Sequence, residues 1–166
     1  MKRWVFRAAA LAALITLGAW GWRVLFPSPE QVIRKRLTEL AQAASFSPNE
    51  APLARLANAH KLTTFCTDDV EITVEVPGHF SQTIHKKEEL LEVAAGAGSM
   101  VSGLKVQFLD TNVKVAADKT SAVANLTAKV KVAGEKDFFV QELKFTFNRI
   151  GRDWLISRLE TVKTLL

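Results

Sequence analysis

The chain has 166 residues, 48% hydrophobic and 23% charged, which suits one folded domain with a segment to spare. Its formal charge of +5 is concentrated at one end: Lys2, Arg3, Arg7 and Arg23 precede Pro27 with no acid among them, and the remaining 18 basic residues face 17 acidic ones. That near-neutral remainder lacks the basic stripe that nucleic acid requires, and a single cysteine, Cys66, rules out an intrachain disulfide.

Ala8 to Trp22 carries no charge, and Trp4 to Phe26 makes a 23-residue apolar stretch with Arg7 and Arg23 near its ends. As a helix it spans roughly 34 Å, enough for a bilayer core of about 30 Å. Trp4, Trp20 and Trp22 suit the two interfaces. Residues 1–27 are therefore expected to be a transmembrane signal anchor, with 28–166 as the domain. The basic start predicts a single pass, with a cytoplasmic N-terminus and an extracytoplasmic domain. The alternative is a cleaved signal peptide that leaves a secreted or periplasmic domain. Ala19-Trp20-Gly21 has the spacing for cleavage, but the bulky residues after it favour the anchor.

Ser28-Pro29-Glu30-Gln31 is a capping-box pattern that opens a helix with Ile33, Leu37, Leu40 and Ala44 on one face. After a break that opens at Phe46, a second helix is expected to start near Asn49 or Glu50, with Pro52 tolerated in its first turn. There Leu53, Leu56, Ala57 and His60 share a face. Val70 to Val76 alternates as a half-buried strand, Pro77-Gly78 turns, and Phe80 to His85 returns. Lys86 to Ala95 reads as a third helix that stops at Gly96. Leu104, Val106 and Phe108 alternate, then Val113 and Val115 after a phase shift that predicts a bulge near Asp110. Ala122 to Val132 keeps a strict two-residue period. Phe139, Leu143, Phe145 and Phe147 make the next apolar face, and Asp153 to Thr161 follows a turn at Gly151. These connections read as hairpins, so the sheet is expected to be antiparallel. The class is α+β, with helices first and a curved sheet after them.

Phe65-Cys66-Thr67-Asp68-Asp69-Val70-Glu71-Ile72, then Val76-Pro77-Gly78 and Lys87-Glu88-Glu89-Leu90, together with Arg152 to Glu160, resemble the NTF2-like (SnoaL-like, cystatin-like cone) superfamily. The likeness runs from about Pro29 to Val162. It implies a cone in which three helices pack on a curved antiparallel sheet around a pocket, and homodimers formed through the sheet. It does not set a function, because the superfamily holds isomerases, dehydratases and secretion-system components alike. Steroid-isomerase-like members place a general base before the hairpin proline and use a tyrosine for the oxyanion. Here Val76 precedes Pro77 and the chain has no tyrosine, so that chemistry is disfavoured.

Other candidate chemistry is sparse. Cys66 beside Phe65 reads as a small core residue. His79 and His85 read as surface or capping residues, and Asp68 reads as a strand opener. No spacing suits a metal, and no cofactor is expected. His60, on a face with Leu53 and Leu56, Asp69 at the strand start, and Gln141, which interrupts the Phe139–Phe145 face, are the pocket candidates. Phe138, Val140 and Ile150 form the outer face of their strand and predict an exposed apolar patch for self-association. The favoured reading is a membrane-tethered, non-catalytic binding or scaffold domain of the cell envelope with a protein partner there. The alternative is a pocket enzyme or small apolar-ligand binder of the SnoaL-like type.

Overall fold

The computed structural model describes residues 27–76 and 80–162. The expected anchor, the Pro77-Gly78 turn and His79 lie outside the described residues. The capping box forms as its residues dictate. Ser28 Oγ accepts from Gln31 N at 3.4 Å, and Gln31 Oε1 accepts from Ser28 N at 3.2 Å. Pro29 takes the first helical position, where its missing N–H costs nothing, and α1 runs over Pro29–Ala43. Ile33, Leu37, Ala41 and Ala43 are buried along one face of it.

The other elements are α2 (Pro52–Thr63), β1 (Cys66–Val76), β2 (Phe80–Ile84), α3 (Lys87–Met100), β3 (Leu104–Val115), β4 (Ser121–Val132), β5 (Phe139–Ile150) and β6 (Asp153–Thr161). The strands form one sheet in the order β2-β1-β6-β5-β4-β3. The β3–β4, β4–β5 and β5–β6 pairs are antiparallel, as their hairpins require. The expectation of a wholly antiparallel sheet needs one correction. β1 runs parallel to β6, with Ile72 opposite Leu159. Hairpins specify only their own pairs, and this join between the two hairpin groups is made by tertiary packing.

The bulge expected near Asp110 is present: Asp110 has φ +50°, and the β3–β4 register shifts between Leu109 and Asn112. A second shift lies between Thr146 and Phe147, opposite β6. Such bulges bend the strands that carry them and curve the sheet. Its inner face presents Ala122, Ala124, Leu126 and Ala128 from β4, Phe145 and Phe147 from β5, and Trp154 and Ile156 from β6. These pack with Ile33 and Leu37 of α1 and Val70 and Ile72 of β1 in one core. Phe108 meets the Phe145 ring edge-on at 5.7 Å.

Two helical expectations change. The face of α2 that carries Leu53, Leu56, Ala57 and His60 is exposed, and Ala59 and Thr63 are buried instead. The helix packs on α3 and its neighbours through a stripe that includes Asn58, Ala59 and Leu62, turned away from its most apolar side. α3 does not stop at Gly96 but continues to Met100, with Val101 N bonding to Ala97 O at 3.3 Å. A glycine within a helix costs only about 1 kcal/mol and ends it mainly where φ turns positive.

Candidate functional site

Each end of α1 is tied to the edge strand β3. At its C-terminal end Ser45 Oγ donates to Ala41 O at 2.7 Å and accepts from Val106 N at 2.9 Å. Phe46 and Leu104 exchange backbone bonds of 2.8 and 2.9 Å. Nearer its start, Arg34 Nη1 donates to Thr111 O at 2.6 Å. Between these ties lies an open groove of about 570 Å³. Leu37, Ala41, Val106 and Phe108 line it, with Thr38 and Gln42 as polar contacts.

A second groove, of about 730 Å³, lies where the α1–α2 loop meets the start of β3 and the end of β4. Arg55 Nη2 donates to Pro48 O at 3.2 Å, and its guanidinium lies 5.3 Å from the Phe46 ring centre. Gly103 lets Pro48 approach closely, because a Cβ there would come within 2.9 Å of the proline ring. Within a few residues of this lining in sequence, Leu53 (81% exposed), Met100 (85%), Phe138 and Phe139 are exposed. Lys129 lies 4.0 Å above the Phe138 ring.

A shallower depression of about 370 Å³ on the sheet is lined by Asp110, Asn112, Asn125, Thr127 and Glu142. Beside it a ladder of ion pairs crosses three strands. Arg158 reaches Glu71 at 3.2 Å and Glu160 at 3.5 Å, and Lys144 reaches Glu160 at 2.6 Å. Arg158 and Glu160, two residues apart on β6, thus form one rung of a longer array.

The three sequence candidates sit on three different elements. His60 is exposed on α2, where its carbonyl accepts from Thr63 Oγ1 at 2.7 Å. Asp69 is exposed on β1, and its neighbour Asp68 pairs with Lys87 at 2.8 Å. Gln141 is half-buried on β5 and donates from Nε2 to Glu142 O at 3.4 Å and Val162 O at 3.5 Å. None of the three lines any of the grooves described above. Phe138, Val140 and Ile150 are exposed as expected. They do not form one patch, however, since Ile150 lies ten residues beyond Val140, roughly 33 Å along the strand. Phe139, expected on the inner face, is also exposed.

The interior holds little that can do chemistry. Among the described residues Cys66 is the one buried side chain that titrates. Burial pushes its thiol up from 9.0 to about 11, so it stays protonated at neutral pH. Thr67 has a buried hydroxyl without a hydrogen-bond partner among the described residues. No group of three or more His, Cys, Asp or Glu among the described residues is placed to hold a metal ion.

No family model matches the sequence, and no curated protein matches it. Solved structures do. The chain has the NTF2-like, cystatin-like fold. An NTF2-like protein with a cystatin-like fold from Novosphingobium aromaticivorans superposes with a TM-score of 0.63 at 18% identity, over 91% of this chain and 86% of that one. A protein proposed as a scytalone dehydratase from the same organism gives 0.58 at 12%, over 81% and 84%. The yeast UBP3-associated protein BRE5 gives 0.61 at 11%, over 84% of this chain and all of that one. Identities this low establish the shared fold, which leaves function to be argued from the surfaces and cavities of this chain.

Proposed function

We propose that the chain is a membrane-tethered, non-catalytic binding domain of the cell envelope. The observation that carries this reading is the filled, uncharged interior. Phe145, Phe147, Trp154 and Ile156 are buried on the inner face of the sheet and belong to one continuous apolar core. General acid–base chemistry needs a titratable group held near its reaction, and the one held inside, Cys66, keeps its proton at neutral pH. The tether rests on the 23-residue apolar stretch of Trp4 to Phe26 and its flanking charges. Among the described residues no helix is long and apolar enough to cross a membrane.

The proposed binding surface is the 730 Å³ groove together with exposed Leu53, Met100 and Phe138, which lie within a few residues of its lining in sequence. Exposed apolar groups gathered round a concave surface are characteristic of contact sites. A photo-crosslinking residue placed at Leu53, Met100 or Phe138 in the full chain should trap one envelope protein, or a second copy of this chain. The same probe at Asn125 on the polar sheet face should trap neither. Equal trapping at all four positions would defeat the proposal.

A second reading comes from the α1–β3 groove, whose Leu37, Val106 and Phe108 lining suits a small apolar ligand. Under that reading Ala41→Trp, which fills the groove, abolishes ligand-induced thermal stabilisation while crosslinking at Leu53 persists.

A further inference from the structure

The linker between the proposed anchor and the domain is very short. The apolar stretch ends at Phe26, and α1 begins at Pro29 with Ser28 already bonded as its cap. Two residues, Pro27 and Ser28, lie between, and they span at most about 7 Å. Whatever surrounds the start of α1 therefore stands at headgroup level if the anchor spans the bilayer.

The β3–β4 turn lies on this side of the domain, and the β5–β6 turn is joined to it and to the middle of α1. Lys119 in the first turn acts electrostatically on Glu30 in the first turn of α1. Asp153 at the start of β6 pairs with Arg36 of α1 at 3.3 Å. Arg149 N bonds to Thr120 O at 2.8 Å and joins the two turns to each other. The tip of the second turn reads Arg149-Ile150-Gly151-Arg152, and all four residues are exposed. Gly151, at φ +63°, closes the turn in a conformation other residues rarely adopt. Ile150 is 55% exposed at this tip.

The charges here do not cancel. Asp153 is engaged by Arg36. The Asp118 carboxylate on the neighbouring turn accepts from Thr120 N at 3.0 Å and keeps its negative charge, one acid beside the two arginines of the tip. Arg149 and Arg152 have no ion-pair partner among the described residues. An apolar side chain between two unengaged guanidinium groups fits a lipid interface: the alkyl group enters the acyl boundary and the planar cations bind phosphates.

We propose that this turn end rests on the bilayer that holds the anchor, with Ile150 at the interface and Arg149 and Arg152 on anionic lipid headgroups. The inference rests on the tether reading and adds an orientation to it. α1 is 15 residues long and so separates the two ends of the domain by roughly 22 Å. Leu53 and Met100 at the far end then face away from the lipid.

The test uses the full chain in vesicles of phosphatidylglycerol and phosphatidylcholine, with an environment-sensitive fluorophore on Ile150→Cys or Leu53→Cys and a nitroxide quencher carried by the lipid. Cys66 is buried and stays unlabelled in the native state. Ile150→Cys should be quenched and Leu53→Cys should not. Adding Arg149→Glu and Arg152→Glu, or omitting phosphatidylglycerol, should cut the quenched population about tenfold or more, because each basic contact to an anionic surface contributes appreciably. Quenching at Leu53→Cys instead, or none at Ile150→Cys, overturns the orientation. Alkaline carbonate extraction of the same vesicles reads the tether separately: protein that washes off defeats the tether reading, and protein that stays without quenching at Ile150→Cys defeats only this inference.

Discussion

Ser45 shows how much one hydroxyl can do in this fold. It takes up the Ala41 carbonyl at the end of α1 and satisfies the Val106 amide on an edge strand. Ser45→Ala leaves that amide without its partner and should cost about 1–2 kcal/mol. Urea denaturation reads the loss, and an unchanged midpoint would mean that water replaces the hydroxyl. Phe145, at 1% exposure, touches both Phe108 and Phe147. Phe145→Ala should cost about 3–5 kcal/mol, because the removed ring leaves a cavity that β-strand neighbours cannot collapse to fill. Cys66 makes a chemical prediction. With its thiol held near 11, it should resist alkylation at neutral pH in the folded protein and react readily in denaturant. Fast labelling of native protein would contradict the burial seen here.

At the scale of elements, the ion-pair ladder sets a pH response. The Lys144 ammonium, bonded to Glu160, holds the Glu160 carboxyl below its ordinary 4.5, with Arg158 adding to the effect. Its folded pKa is thus lower than its unfolded one. The stabilisation is complete above the ordinary value and is lost as pH falls through the folded one. The ladder is partly exposed, so its worth is small, about 0.5 kcal/mol. Thermal melts of the wild type and Glu160→Gln should differ at neutral pH and converge in acid below 4.5. Features of this local kind were readable from the amino acids. The Ser28–Gln31 cap, the Asp110 bulge and the bounds of β6 all depend on residues a few positions apart. The exposed side of α2 was not readable, because Leu53 and Leu56 carry the period of a core face whether or not anything covers them. His60 and Asp69 carry the same ambiguity: a titratable residue beside apolar ones implies a pocket only if the fold closes over it. Ser45 gave no pattern at all, since its partner lies 61 residues away.

For the whole molecule, the two ends of the sheet differ in character. One holds a groove with exposed apolar residues nearby in sequence, and the other joins two hairpin turns, with two unengaged arginines, on the side of α1. The parallel join of β1 to β6 holds the two hairpin groups in one sheet, with Glu71 and Arg158 in contact across 87 residues of chain. That join also has a consequence in time. As the polypeptide emerges from the ribosome, β1 has only β2 beside it until the last strand is made. Val70 and Ile72 lack the β6 side of their core until then, and such distant pairings make assembly slow. The arrival of β6, rather than the quick formation of neighbouring hairpins, therefore decides when this protein can shut water out of its centre.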